Sequence, residues 1–468
     1  MRGVITQGAN RNSKHVAIGG VLLVCWCVLF PMAMLARTLN VSPQGPFYSP
    51  TEAIAAARAG DTIEIGPGIY NGNLVLDRTV SLIGRGAPVI HGTGEGSVIT
   101  VAAEGCAIQG LVVEHSGTML ASEDSGILLR SNRNRVEENE LRDILFGIYL
   151  YHANDNLIRN NRITGRSYLD LGGRGSGIHI WNSERNVLAG NIITQVRDGM
   201  YLQNTYHSVI RGNRIFRLRY GLHYMWSDDN TFEDNLFYDN IAGAAVMYSH
   251  RVQMRRNVFR HNRGYSSYGI LFQENDDCIF EDNVVSDNAV GIFMEAMRRG
   301  QLRRNLISAN DVAIQAFGSA TQNQFEYNNF VDNLSPILVV GAPGDTRWNG
   351  ATAGNYWSDY TGYDLDGDGI GDVPYKIANL FSHLEGNYPR MRLYLDSPAA
   401  QSLALAERGF PLFERHVELD MKPLMRPAKL IFRPAAARAP IARRAAAALL
   451  PLAIMAAAAG LMFKTRRA

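Results

Sequence analysis

Hydrophobic and polar positions alternate in short bursts along most of this chain, and the bursts recur at a fixed distance. Ile127-Leu128-Leu129, Ile178-His179-Ile180, Leu222-His223-Tyr224 and Ile292-Phe293-Met294 have the period of a strand with one buried face. Each follows one member of the glycine series Gly126, Gly147, Gly177, Gly199, Gly221, Gly243, Gly269 and Gly291. An asparagine follows each glycine by 13 or 14 positions, at Asn139, Asn161, Asn191, Asn213, Asn235, Asn257, Asn283 and Asn305. The asparagines are 22 residues apart, or 22 plus a small insertion. Such a period predicts stacked units, here an all-β, right-handed parallel β-helix.

Asparagine suits the turns because its amide bonds nearby backbone and stacks on the asparagine of the next coil, while glycine supplies positive φ at a corner. Both series are therefore assigned to architecture rather than chemistry. The residue after each glycine should point into the core and the next one outward.

The coils are expected to fill residues 51–340. Thr51 to Ala59 predicts a short helix, N-capped by Thr51, over the open end of the solenoid. About a dozen coils at ~4.8 Å each predict a rod on the order of 50 to 60 Å long. Arg166 to Gly175 and Arg263 to Ser267 lengthen single coils, and such insertions are where solenoids carry partner-specific loops. Residues 341–427 are expected to form a C-terminal capping region.

The 468 residues carry a net charge of +2, with Lys and Arg spread among nearly equal numbers of Asp and Glu, which gives no reason to invoke nucleic acid. Of four cysteines, only Cys106 and Cys278 lie in the body, far apart in coil order, so no disulfide framework or paired-cysteine metal site is expected. At the N-terminus, Arg2, Arg11 and Lys14 precede an apolar stretch from Val16 to Ala36, so residues 1–36 describe an export signal or an uncleaved anchor. Ala445 to Phe463 is an alanine-rich apolar stretch with Arg443-Arg444 before it and Lys464, Arg466 and Arg467 after it; a transmembrane helix is expected there.

Stacking the outward positions of successive coils gives Leu128, Tyr149, His179, Tyr201, His223, Ala245, Leu271, Phe293 in one column. The second column is Arg130, Tyr151, Trp181, Gln203, Met225, Met247, Gln273, Glu295. An exposed strip of Tyr, Trp, His and Met suggests a binding face, with Tyr149, His179, Trp181 and Tyr201 as its candidate residues. Within it, His223 and Met225 lie two apart on one strand, about 6 to 7 Å between Cα atoms, with Met247 one coil away. One imidazole and two thioethers form a soft donor set suited to transient Cu(I).

A different metal signal lies in Asp364-Leu-Asp366-Gly-Asp368-Gly-Ile-Gly-Asp372. Carboxylates at positions 1, 3, 5 and 9 with glycine at 6 reproduce most of a Ca²⁺ loop, although position 12 is Tyr375 rather than Glu.

Taken together, Ser176-Gly-Ile-His-Ile, Asp198-Gly-Met-Tyr-Leu, Tyr220-Gly-Leu-His-Tyr-Met, Asn355-Tyr-Trp-Ser-Asp-Tyr, Asn387-Tyr-Pro and Asp420-Met-Lys-Pro-Leu-Met resemble the NosD family. That family comprises periplasmic maturation proteins of nitrous oxide reductase. The resemblance covers roughly Ala53 to Pro427, and it is the ordered set of motifs that is specific. It implies a right-handed β-helix in the periplasm, without enzymatic activity of its own. It further implies ABC transporter ATPase and membrane subunits, a copper chaperone and nitrous oxide reductase as partners, with copper or sulfur supplied to a copper-sulfide centre. His223 and Met225 fall in the family's Tyr-Gly-x-His-Tyr-Met segment and Met247 in the following coil. The alanine-rich stretch at 445–463 departs from the family pattern. No Gly-x-x-x-x-Gly-Lys-Ser/Thr run occurs, so ATP-driven work falls to a partner.

The competing class is a carbohydrate-binding or polysaccharide-cleaving β-helix. Cleavage by hydrolysis needs two carboxylates about 5 to 9 Å apart. The outward strip supplies Glu295, with Glu274 near the next turn, and no clear second carboxylate on adjacent strands.

Overall fold

The structure is a computed structural model, and it describes residues 36–341, 344–377 and 418–430. The apolar segments expected at the N-terminus and at 445–463 lie outside these residues, Ala36 excepted. Among the described residues, no helix is long and apolar enough to cross a membrane.

Three parallel sheets wind around one core. Sheet A has 13 strands, from Thr38–Val41 to Gln324–Glu326; sheet B has 13, from Ile69–Asn71 to Tyr356–Trp357; sheet C has 12, from Leu74–Leu76 to Ser335–Val340. Each turn of chain adds one strand to A, then B, then C, so neighbours in a sheet come from successive coils. This is the all-β parallel β-helix that the 22-residue period predicts. Its first strand, Thr38–Val41, pairs with Thr62–Ile65 and precedes the expected start of the coils.

The capping helix spans Pro50–Ala56 and is capped by Ser49, not Thr51. Proline at the first helical position explains the shift, because its fixed φ starts the helix and its missing N–H costs nothing there. The Ser49 Oγ then accepts from the Glu52 amide at 3.2 Å.

Inward positions are filled by Ile, Leu, Val and Phe; Ile63, Ile127, Ile178, Leu222, Phe237 and Phe259 are buried. Phe237 and Phe259 stack at 5.2 Å on neighbouring coils. The expected in-and-out alternation holds: in Ser125–Leu129, Ile127 and Leu129 are buried while Leu128 faces outward.

The glycine series has a different physical basis from the one expected. Positive φ at the corners is adopted by Asp143, Asn160, Asn204, Asp234 and their equivalents, and not by Gly221 or Gly269. These glycines sit inside sheet C strands, where neighbouring coils approach too closely for a side chain. A Cβ on Gly221 would lie 2.5 Å from the Gly243 carbonyl oxygen, and one on Gly269 2.6 Å from that of Gly291.

Asparagine ladders run at all three corners. At the A-to-B corner, the Asn213 amide donates to Asn235 Oδ1 at 3.0 Å, and the Asn235 amide to Asn257 Oδ1 at 3.1 Å. Asn240, Asn262, Asn288 and Asn310 form a second ladder between B and C, and Asn134, Asn156 and Asn186 a third between C and A. The first ladder ends on a carboxylate. Asn328 donates to Asn355, and the Asn355 amide donates to Asp420 Oδ2 at 2.7 Å. Asp420 also accepts from Trp357 Nε1 at 3.0 Å. Residues 418–430 therefore close the last coil, with Leu419–Asp420 antiparallel to Tyr375–Lys376.

Candidate functional site

The centre of sheet C is built from Ser176–Glu184, Asp198–Tyr206, Tyr220–Met225 and Ala242–His250. Their register stacks Tyr149, His179, Tyr201, His223 and Ala245 in one column. A second column aligns Tyr151, Trp181, Gln203, Met225 and Met247. Met225 and Met247 are thus direct cross-strand partners, and His223 lies two residues before Met225 on the same outward face. All three are half-buried, as are Trp181 and Tyr201.

The strip is less exposed than its sequence suggests. Tyr149 and His179 are each only 6% exposed, although both face outward from the sheet. The reason is close packing of tilted and edge-on rings along the column: Tyr149 to His179 is 4.7 Å, His179 to Tyr201 is 4.7 Å, and Tyr201 to His223 is 4.8 Å between centroids. Phe146 packs on His179 from the side at 5.6 Å. The solvent-facing part of the strip lies further along the strands, where Trp226 stacks on Tyr248 at 5.5 Å directly after the two methionines.

Beneath His223 lies a buried charge cluster that the sequence reading missed. Asp198 is fully buried and receives Arg219 Nε at 2.9 Å and Nη2 at 2.7 Å. Its Oδ2 lies 3.4 Å from His223 Nδ1. Burial works against ionisation of Asp198, but the hydrogen bonds from His223 and Arg219 win and hold its carboxyl down to about 2. An ionised Asp198 can only accept a hydrogen bond, which favours the His223 tautomer with its proton on Nδ1 and its lone pair on Nε2, an arrangement that orients imidazole ligands in metal sites. A carboxylate just before Gly199, with Arg219 one coil later, was the available signal. Ala245, the next residue in the His223 column, is small and leaves the imidazole without a bulky neighbour on that side.

His179 is in a different electrostatic state. Burial, with the charge of Arg197 second, pushes its pKa down to about 3, so the ring is neutral. The insertions before Ser176–Glu184 and Tyr268–Asp276 enter sheet C at the same corner, and the strands carrying His223, Met225 and Met247 lie between them.

In the acidic loop, Asp364, Asp366 and Asp368 each bring a carboxylate oxygen within 4.8 Å of the others. Asp372 does not join them, because its Oδ2 accepts from the Leu365 amide at 2.7 Å and closes the loop. Burial opposes ionisation of Asp364, yet the Gly369 and Gly367 amides hold its carboxyl below the ordinary value. Tyr375, at position 12, serves packing instead: its ring stacks on Trp357 at 4.7 Å. Three convergent oxygens fit a hard cation such as Ca²⁺, with the remaining positions left to water.

Comparison with known proteins adds a family to this geometry. A family profile described as "Periplasmic copper-binding protein (NosD)" matches residues 160–362, the segment that carries His223, Met225 and Met247. Among curated proteins, the chain is 30% identical over 421 residues to a probable ABC transporter binding protein NosD of Pseudomonas aeruginosa, covering 84% of this chain and 98% of that protein. It is 27% identical over 373 residues to the protein of the same description from Stutzerimonas stutzeri, covering 77% and 85%. Among solved structures, the A-module of the mannuronan C-5 epimerase AlgE6 of Azotobacter vinelandii aligns with a TM-score of 0.51 at 14% identity, covering 64% of this chain and 92% of that one. A similarity that low in sequence speaks for the β-helix fold alone. The near full-length match to the Pseudomonas aeruginosa protein decides the family: this chain belongs to the NosD family.

Proposed function

We propose that this protein is a non-enzymatic periplasmic accessory protein. It takes copper as cargo and passes it on for assembly of the copper-sulfide centre of nitrous oxide reductase. The observation that carries the reading is the pairing of Met225 with Met247 on adjacent coils, beside a His223 whose Nδ1 faces Asp198. Two thioethers and one imidazole nitrogen favour Cu(I) and bind it weakly enough for release. The copper-binding description of the family profile and the transporter-binding names of the relatives support the same reading. An ABC transporter then supplies the ATP-driven step, and a copper chaperone the cargo. Residues 1–36 direct export, and 445–463 anchor the chain to the membrane. Ca²⁺ in the loop of Asp364, Asp366 and Asp368 is a structural ion in this reading.

The test is competition between the protein and a Cu(I) chelator. The parent should hold Cu(I), and the His223→Ala, Met225→Ala, Met247→Ala variant should lose at least tenfold in affinity. Equal retention by both would remove the site.

A polysaccharide-acting protein is the second reading, favoured by the aromatic strip that includes Tyr151 and Trp181. Glu295 in that strip accepts a hydrogen bond from Gln273 at 3.2 Å and has no carboxylate on the strand positions beside it, which weighs against hydrolysis. Cleavage of any polysaccharide by the parent protein would reverse the order of the two readings.

A further inference from the structure

His179 presents an anomaly for an ordinary packed core. It is 6% exposed, and neither Nδ1 nor Nε2 has a hydrogen-bond partner among the described residues. Buried imidazole nitrogens without partners are rare, and each needs a physical reason. One carboxylate approaches the ring. Oε1 of Glu123 lies 3.8 Å from Nδ1, too far for a hydrogen bond. Two donors bound to one ion at about 2.0 to 2.1 Å each stand roughly 3 to 4 Å apart, so this gap suits a shared cation.

The chain goes to some length to bring Glu123 there. It is delivered by a single turn between Val112–Glu114 and Ser125–Leu129, at the left-handed residue that ends the Leu120–Ser122 turn, with φ of 54°. Asp124 fixes that turn by accepting from the Met119 amide at 3.0 Å and from Ser122 Oγ at 2.9 Å. The Ser125 hydroxyl donates to the Glu123 carbonyl at 2.6 Å. Burial first, and the nearby Glu123 carboxylate second, raise the Tyr149 hydroxyl above its ordinary value.

We propose that His179 Nδ1 and Glu123 form a second metal station on sheet C, for a divalent ion of borderline hardness such as zinc(II) or copper(II). One nitrogen and one carboxylate oxygen select this class over Cu(I), in contrast to the thioether pair at Met225 and Met247. Two coils separate His179 from His223, about 9.6 Å along the axis, and Tyr201 stands between the rings, so one ion cannot serve both. Two protein ligands leave coordination positions open, which marks a station for transient occupancy rather than a structural ion. The inference does not rest on the Cu(I) site.

Cobalt(II) titration of the full chain tests it, with the acidic loop first saturated with Ca²⁺. The parent and the His223→Ala variant should each bind one cobalt with the intense visible absorption of a low-coordinate nitrogen-containing site, displaced by zinc(II). Glu123→Gln and His179→Phe should each weaken that binding at least tenfold. Glu123 is on a surface turn, so its variant keeps the fold even where the core change at His179 does not; melting midpoints report this. Absence of the band from the parent, or its survival in Glu123→Gln, would overturn the proposal and leave His179 as a ring packed against Tyr149 and Tyr201. Loss of the band in His223→Ala would merge the two stations into one and equally defeat it.

Discussion

Nδ1 of His223 faces Oδ2 of Asp198 across 3.4 Å, and both oxygens of the same carboxylate are held by the Arg219 guanidinium. The pair lies on adjacent coils, so the register of sheet C alone sets it. Because Asp198 stays ionised, it favours the His223 tautomer with the proton on Nδ1. Asp198→Asn should therefore increase the population protonated at Nε2, visible in the nitrogen-15 shifts of that ring. Cu(I) affinity should fall about 10- to 100-fold, the usual effect of removing an outer hydrogen-bond partner from a ligand imidazole. An unchanged tautomer in the variant would reduce Asp198 to a structural ion.

The asparagine ladder makes a sharper stability claim. Asn235 accepts from the backbone and side-chain amides of Asn213 and donates to the Ile210 carbonyl at 2.8 Å, all in a buried corner. Asn235→Ala strands these groups, and each buried orphan costs about 1 to 3 kcal/mol. A loss on the order of 3 to 5 kcal/mol is expected by chemical denaturation, against less than 1 kcal/mol for an exposed loop residue such as Tyr265. Similar losses at both positions would mean that the ladder is decorative.

Calcium should stabilise the C-terminal closure. The Met425 amide donates to the Gly369 carbonyl at 3.0 Å, and the Gly371 amide to that of Pro423 at 2.8 Å, so the acidic loop and residues 418–430 brace each other. Asp366→Ala should lower the melting midpoint in calcium and change it little in chelator, since an ion that binds only the folded loop stabilises by mass action. A parent protein that melts identically in calcium and in chelator would eliminate the ion.

Acid should weaken the other end. Asp61 is buried and accepts from Arg37 Nη2 at 2.6 Å and from the Arg58 amide at 2.8 Å. The Arg37 side chain is the main cause that holds its carboxyl far below the usual range. A lowered folded-state value means that the stabilisation is complete above the unfolded value of about 3.9 and is lost as pH falls below it. Asp61→Asn should already lack that stabilisation at neutral pH and lose less between about pH 4 and 2. A parent and a variant with parallel acid titrations by circular dichroism would contradict this sign.

Glu418 and Asp420 work in the opposite sense. Burial is the main cause that raises both carboxyls above their ordinary values, so their ionisation opposes folding as pH rises. Their worth lies in acceptor geometry instead. Glu418 receives Trp348 Nε1 at 2.6 Å, and Asp420 receives the last asparagine of the ladder. Asp420→Ala should free residues 418–430 for proteolysis while leaving the central coils folded; protection equal to that of the parent would show the segment held by other contacts.

Period and alternation were enough to determine the β-helix, the in-and-out sense of the sheet C strands from Ser125–Leu129 to Val290–Glu295 and the column partners of His223, Met225 and Met247. A solenoid makes this possible because each residue meets its counterpart one repeat away, so sequence distance converts directly into spatial neighbourhood. Three things needed the tertiary structure. The glycine series looked conformational, and only the approach of successive Gly carbonyls shows that it is steric. The strip looked exposed, and only the close packing of rings along the column, with Glu123 delivered by a distant turn, shows that Tyr149 and His179 are enclosed. Asp198 and Asp420 stood in the sequence only as the first residues of two motif segments, with no partner assigned. Their roles arise where a charge meets partners fixed by the register of neighbouring coils, as for Asp198, or by a segment 65 residues beyond Asn355, as for Asp420, a separation that no repeat encodes.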